Sequence, residues 1–287
     1  MGRRFDSRRA PQALNAAADA FRRVASRDGT LIAVFGEGSQ GGQRPPILLV
    51  HGTAGDHTTF RVLGPLLGQD FAVRAMDRRG RGASGDAVLY SIEREFEDVA
   101  AVAGSLAAES GAPIPVFGHS YGGRCSLGAT LLTDAIDRVI CYEGAPAPPA
   151  GSYRPDGVDA RLRDRAAGDR AGLLATFMTE IVGMTGAELA AYQANPVWPA
   201  RVAAAGTILR ELEAEATGAA SLEALGAVRR PVLQLLGTAS RPIFRSATMA
   251  LDARLEDGRV AEIEGARHAA HHTHPDEVAN AVRAFLD

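Results

Sequence analysis

The five residues Gly118-His119-Ser120-Tyr121-Gly122 have the G-x-S-x-G spacing that presents a serine hydroxyl at a sharp turn. An apolar run precedes them, and a helix-compatible run over residues 124–132 follows. The glycines on either side let a strand and a helix approach each other without a collision with a β-carbon. The pattern predicts Ser120 as a nucleophile, with the backbone amide of Tyr121 aimed at an oxyanion beside it.

A serine hydroxyl is a weak nucleophile near neutral pH, so it requires a histidine that accepts its proton. His268 follows a strand-like segment and precedes the last helix, which predicts a loop position at the carboxyl end of a strand. We predict His268 as this base. His271, His272 and His274 follow closely, but their spacings match no zinc motif. We expect them to be solvated loop residues, and we expect no bound metal.

A second oxyanion donor is predicted in the loop His51-Gly52-Thr53-Ala54, which follows an apolar segment ending at residue 50. A glycine-containing loop at this place turns a backbone amide, that of Thr53, toward the serine. His51 itself is predicted to be structural.

The elements that position these residues are visible as short apolar runs alternating with helical patterns from residue 45 onward. Such alternation indicates βαβ units and a mostly parallel sheet. A hairpin is predicted first, followed by buried strands. The hairpin segments are 22–26 and 31–35, and the buried strands are 47–50, 72–76, 114–117, 139–142 and 232–236.

Residues 146–225 break this rhythm, because prolines open a loop and several helical segments follow without a strand signal. We predict a helical cap here, inserted into a core of residues 21–145 and 226–287. The arginine-rich residues 1–20 are predicted to be a flexible arm.

The 287 residues, 46% apolar and 23% charged, suit one soluble globular catalytic domain. A net charge of −3 provides no cationic field for nucleic acid. The sequence has neither an apolar run of membrane-spanning length nor one of signal-peptide length. We therefore expect a cytoplasmic monomer or homodimer that acts on a small molecule, without a nucleic-acid or membrane partner.

Together these segments resemble the α/β-hydrolase superfamily over nearly the whole chain after the first twenty or so residues. The resemblance rests on the His51-Gly52 loop, the turn over residues 77–84, the Ser120 elbow and the loop 265–268 before a Pro-Asp-Glu helix. It implies an α/β-hydrolase fold, in which helices flank a mostly parallel sheet and a helical cap is inserted, and it implies no cofactor. In this family Asp77 would belong to a structural turn.

The chain departs from the family pattern at the catalytic acid. That acid usually follows the strand predicted at 232–236, where this sequence reads Gly237-Thr238-Ala239-Ser240. Some members, among them the haloalkane dehalogenase group, place the acid at the end of the strand after the nucleophile's helix. Here that residue is Glu143, so the resemblance implies Glu143 as the carboxylate that orients His268. The alternative is a glutamate at the cap hinge that pairs with an arginine.

These assignments predict hydrolysis of a carboxylic ester, thioester or lactone through an acyl-Ser120 intermediate. A serine at the elbow argues against alkyl-halide or epoxide opening, which uses a carboxylate nucleophile. Two alternatives stay open. One is a lyase, cyclase or cofactor-free oxygenase that uses His268 as a base, and the other is a weakly catalytic protein that binds a small ligand.

Overall fold

The computed structural model of the chain describes residues 22–36, 44–149 and 151–287. The predicted arm, residues 1–20, lies outside the described residues. Within the described ranges, eight strands form one sheet. They are β1 (Arg22–Ala25), β2 (Leu31–Phe35), β3 (Ile47–Val50), β4 (Val73–Met76), β5 (Ile114–His119), β6 (Ile136–Tyr142), β7 (Val232–Gly237) and β8 (Gly258–Ile263).

The spatial order of the strands is β1-β2-β4-β3-β5-β6-β7-β8. The hairpin strands β1 and β2 pair antiparallel, β2 also pairs antiparallel with β4, and the pairs from β4 through β8 are parallel. The mostly parallel sheet predicted from the sequence is thereby confirmed. From β3 the chain continues to β4 on one side, and from β5 it continues to β6 on the other, so the strand order reverses between β3 and β5. At such a switch point a crevice forms outside the carboxyl ends of the strands.

Helices cover both faces of the sheet, because successive side chains of a buried strand point in opposite directions. Leu48 and Val50 of β3 join one apolar cluster, and Ile47 and Leu49 join the other. The first cluster is covered by α2 (Ile92–Ser110), α3 (Tyr121–Ala129) and α10 (Pro242–Asp252), and the second by α1 (Leu63–Leu67) and α12 (Pro275–Leu286). A short helix, α11 (Ala270–Thr273), precedes α12.

The longest of these helices, α2, shows how local sequence sets its bounds. The Ser91 side chain caps its start by accepting from the Arg94 amide, and Gly111 ends it in the left-handed region at φ 74°. Apolar residues recur along α2 at steps of three or four, and all of them are buried against the sheet: Ile92, Phe96, Val99, Ala103 and Leu106. In the described ranges, no helix combines the length and apolarity needed to cross a bilayer.

A helical insertion lies between β6 and β7. It contains α4 (Val158–Ala166), α5 (Arg170–Thr176), a π-helical segment (Phe177–Val182), α6 (Gly186–Gln193), α7 (Trp198–Ala204), α8 (Ile208–Ala214) and α9 (Leu222–Leu225). The insertion has its own apolar cluster, which includes Leu162, Leu174 and Ile208 and to which the rest of the chain contributes Ala54.

Buried ion pairs connect this insertion to the rest of the protein. Glu211 of α8 accepts from Arg78 at 2.7 Å and lies 2.8 Å from Arg81, and all three side chains are almost fully buried. Arg124 of α3 pairs with Glu215 at 2.6 Å. Because an unpaired buried charge is strongly destabilising, these contacts fix the insertion over the carboxyl edge of the sheet.

Candidate active site

Ser120 occupies the sharp turn between β5 and α3. Its backbone has φ 55° and ψ −125°, a conformation that costs a non-glycine residue about 1–3 kcal/mol. Two hydrogen bonds hold the turn: the Ser120 amide donates to the Tyr142 carbonyl at 2.8 Å, and the Ser120 carbonyl accepts from the Gly123 amide at 2.9 Å. The neighbouring strand β6 therefore helps to keep the elbow in place.

The glycines of the elbow are required by close backbone approaches. A β-carbon on Gly122 would lie 2.3 Å from the Val50 carbonyl oxygen and 2.4 Å from that of His51. A β-carbon on Gly118 would lie 2.5 Å from the Gly122 carbonyl oxygen. Only glycine fits at these positions, and the elbow consequently lies directly against the end of β3.

The two predicted oxyanion donors lie beside Ser120. A β-carbon on Gly52 would come within 2.9 Å of the Ser120 β-carbon, so the loop after β3 touches the elbow. Tyr121 is the first residue of α3, where a backbone amide has no partner inside the helix. Within the described ranges, neither the Thr53 amide nor the Tyr121 amide donates to another backbone group. Thr53, Ser120 and Tyr121 line a small cavity of about 40 Å³.

His268 and Glu143 form a buried pair. Glu143 directly follows β6, and its Oε2 accepts from His268 Nδ1 at 2.6 Å. The two residues are 4% and 7% exposed, respectively, and the Phe244 ring stacks on the imidazole with a centroid distance of 4.4 Å. In the described part of the chain Glu143 forms its ion pair with His268 and with no arginine, which favours the orienting role over the hinge alternative. The Nδ1–H bond leaves His268 Nε2 as the nitrogen available to accept a proton.

The loop after β7 supports Glu143 instead of supplying an acid. The Gly237 amide donates to Glu143 Oε1 at 2.8 Å, and the Ser240 hydroxyl donates to the same oxygen at 2.6 Å. The sequence identified this loop by its missing carboxylate but did not indicate the role of Ser240. The one hint in the sequence was that Ser240, a residue with a hydroxyl group, occupies the position where the family pattern places the acid.

Ser120 and His268 line the same larger cavity, of about 380 Å³. Among the described residues, no hydrogen bond joins the Ser120 hydroxyl to the His268 ring. Catalytic hydrogen bonds are often long or poorly aligned before a substrate binds. The structure thus brings the predicted nucleophile and base to one cavity without forming the contact between them.

Three further histidines surround this centre. His119 Nε2–H donates to the His268 carbonyl at 2.8 Å, and the His119 and His271 rings lie 4.3 Å apart. Burial holds the pKa of His119 and of His271 well below the usual value, and burial together with Arg61 and Arg201 lowers that of His272 to about 3. The expectation of solvated loop histidines is wrong for His271, which is 2% exposed because α11 turns it inward against His119.

His51 and Asp77 have structural contacts. His51 Nδ1–H donates to the Gly52 carbonyl at 2.8 Å, and its Nε2 accepts from the Arg78 amide at 3.0 Å. Asp77 accepts from both the backbone amide and the ring Nδ1 of His57, at 2.7 Å and 2.8 Å. Each residue holds a loop at the sheet edge, in agreement with the sequence analysis.

Comparison with known proteins agrees with this architecture. Residues 47–281 match the model of the Alpha/beta hydrolase family, and the chain belongs to this family. An α/β hydrolase of known structure from Sphaerobacter thermophilus is 31% identical, with a TM-score of 0.76 over 93% of this chain and 100% of that one. The enol-lactonase of Burkholderia xenovorans, 20% identical with a TM-score of 0.74 over 92% of this chain and 99% of that one, shares the fold.

A curated relative, the probable oxidoreductase EphD of Mycobacterium tuberculosis, is 32% identical over 130 residues. The match covers 44% of this chain and 21% of the relative, so the matched segment spans about a fifth of that protein's length. Membership in the family and the hydrolases among its structural neighbours support an enzyme.

Proposed function

We propose that the protein is a serine hydrolase that cleaves a carboxylic ester, thioester or lactone through an acyl-Ser120 intermediate. The proposal rests on one arrangement: the Glu143–His268 pair, with its 2.6 Å hydrogen bond, borders the cavity that Ser120 also lines. A histidine held in this way by a carboxylate is the base that a serine nucleophile requires.

In the proposed mechanism the Ser120 hydroxyl oxygen attacks the substrate carbonyl while His268 Nε2 accepts the hydroxyl proton. Glu143 stabilises the resulting imidazolium, and the Thr53 and Tyr121 amides donate to the oxyanion. Collapse of the tetrahedral intermediate breaks the bond to the leaving group, which takes the proton from His268. Water, deprotonated by His268, then cleaves the acyl-serine ester and regenerates the enzyme.

We further propose that residues 146–225 act as a cap over the core of residues 21–145 and 226–287. The insertion supplies much of the apolar wall of the 380 Å³ cavity: Phe177, Met178, Val182 and Met184. An apolar wall excludes water and strengthens the electrostatic contacts at the oxyanion.

A second candidate is base catalysis by His268 with Ser120 as a binding group. One observation favours it: in the described residues, the Ser120 hydroxyl does not donate to His268. Such an enzyme forms no acyl-Ser120.

The test is hydrolysis of 4-nitrophenyl acetate and butyrate with rapid mixing, for the wild type beside the variants Ser120→Ala and His268→Ala. An acyl-enzyme route produces a burst of nitrophenolate in the wild type that is lost in Ser120→Ala. If the wild type hydrolyses every ester, thioester and lactone tried no faster than Ser120→Ala does, the proposal is contradicted and base catalysis is favoured.

A further inference from the structure

The end of the Ser120 cavity at Arg61 and Arg201 carries an excess of positive charge. The arginines of the cavity include Arg201, which is 3% exposed and pairs with Asp56 at 2.6 Å, and Arg267, which lies 3.6 Å from Glu188. The third arginine is Arg61. Within the described ranges no carboxylate lies within ion-pair distance of it. Two arginines at this end of the cavity are therefore balanced by the single carboxylate of Asp56.

The Arg61 guanidinium is partly buried and has most of its donors free. In the described structure its side chain makes one hydrogen bond, from Nη1 to the Thr58 carbonyl at 3.3 Å. A guanidinium has five N–H donors in a planar fork that matches a carboxylate. Burial and the nearby charge of Arg201 lower the pKa of Arg61, and the opposing charge of Asp56 offsets this only in part.

Other polar groups face the same cavity. Tyr192 lines it, and burial raises the pKa of its hydroxyl, which therefore remains a neutral donor. His272 also lines it, with a buried Nδ1 that has no partner among the described residues. These groups add hydrogen bonds without adding charge at neutral pH, so the net excess at this end of the cavity stays near one positive charge.

We propose that Arg61 binds a carboxylate of the substrate, and that the preferred substrate is an anionic ester, thioester or lactone. A singly charged carboxylate matches the single excess charge, whereas a phosphate monoester carries about two negative charges at pH 7. The inference rests on the proposed function, because Ser120 and Arg61 line the same cavity of about 380 Å³.

The test compares two esters of equal acyl length, mono-4-nitrophenyl glutarate and 4-nitrophenyl pentanoate, which differ in a terminal carboxylate. For the wild type we expect kcat/KM to be at least about tenfold higher for the glutarate ester. In Arg61→Gln the ratio of the two values should fall by about tenfold or more, mainly through KM. Arg245→Gln, which changes a half-exposed arginine paired with Glu262, should leave the ratio at its wild-type value. A wild type without the preference, or an Arg61→Gln variant that keeps it, would overturn the proposal.

Binding separates this inference from the proposed function. Calorimetry with monomethyl glutarate on Ser120→Ala, and on the same protein with Arg61→Gln added, measures the anion site without any turnover. If Arg61→Gln abolishes this binding while the wild type hydrolyses no ester, the anion site is supported and the hydrolase is contradicted. If the wild type hydrolyses esters but binding of monomethyl glutarate does not depend on Arg61, the hydrolase is supported and the anion site is contradicted. Inorganic phosphate that binds at Arg61 more tightly than monomethyl glutarate would contradict a carboxylate.

Discussion

The Ser240 hydroxyl donates to Glu143 Oε1 at 2.6 Å, while the other oxygen of the same carboxylate accepts from His268. The loop after β7, where the family pattern leads one to expect the acid, and the end of β6, which carries Glu143, are therefore in direct contact. Glu143 at the strand end supplies the negative charge, and Ser240 in the loop supplies a hydrogen-bond donor that orients the carboxylate. A group that orients a functional carboxylate from behind contributes to activity without touching the substrate.

Glu143→Gln should lower kcat by at least about a hundredfold, because an amide neither stabilises the imidazolium nor enforces the Nδ1–H tautomer of His268. Steady-state hydrolysis of 4-nitrophenyl butyrate measures the loss. Glu262→Gln, a change of an exposed carboxylate on β8, is the matched control and should keep wild-type activity. More than a tenth of wild-type kcat in Glu143→Gln would refute the role of Glu143.

Ser240→Ala should lower kcat by about fivefold and leave KM unchanged, since one hydrogen bond to the carboxylate is lost while that from the Gly237 amide remains. Ser240→Thr, which keeps the hydroxyl, should restore activity. In a Glu143→Gln background the same Ser240→Ala change should have no further effect, because the two residues act through one contact. Additive losses in the double variant would mean that Ser240 acts elsewhere.

Glu211→Gln should lower the free energy of unfolding by about 3–5 kcal/mol, because it leaves the buried guanidiniums of Arg78 and Arg81 without this carboxylate. Urea unfolding measures the change. Glu213 lies on the same helix but is exposed, so Glu213→Gln should change stability by less than about 0.5 kcal/mol. Equal stabilities of the two variants would show that the ion pairs do not hold the insertion.

Gly122→Ala should lower the free energy of unfolding by about 1–3 kcal/mol or more, since its β-carbon would collide with two backbone carbonyls. Gly104 lies inside α2, and a β-carbon there meets nothing within 4 Å. Gly104→Ala should therefore raise stability by about 1 kcal/mol through helix propensity. Thermal unfolding of both variants gives the comparison, and a Gly122→Ala protein as stable as the wild type would contradict the close approach.

His271→Phe should reduce the sensitivity of the fold to acid. Burial lowers the pKa of His271 in the folded state below its unfolded value of about 6.5. Its contribution to stability is present above pH 6.5 and is lost as the pH falls, because the unfolded chain then binds a proton that the folded chain does not. The difference between the unfolding free energies at pH 7.5 and pH 5 should be smaller in the variant than in the wild type, by up to about 1.4 kcal/mol for each pH unit below 6.5. An unchanged pH dependence would place the acid sensitivity elsewhere.

The sheet and the elbow are predictable because they depend on local pattern. All six residues of β7 are buried and only Gln234 among them is polar, and the glycines around Ser120 report close backbone contacts. The bond between Ser240 and Glu143 and the burial of His271 depend on how distant segments pack. Polar residues in a loop look alike in a sequence whether they meet water or one another, so these features required the structure.

The apolar residues between positions 202 and 212 show the same limit. In the sequence they follow one helical period, yet the structure divides them between α7, a 3-10 turn (Ala205–Thr207) and α8. Periodicity identifies the buried face, but the break arises from packing inside the insertion.

Left-handed backbone conformations also mark the catalytic edge of the sheet. In the described ranges, the non-glycine residues with positive φ are Ala54, Ser120 and Glu143, and each lies at or beside a group that the proposed mechanism uses. Glycine would relax each turn and would at the same time remove the proposed nucleophile or the proposed acid from the last two. Heat resistance and turnover therefore make opposite demands on these positions. Substitutions intended to raise thermal stability should therefore be made in α2 and the outer helices, and the turns at the ends of β3, β5 and β6 should be kept unchanged.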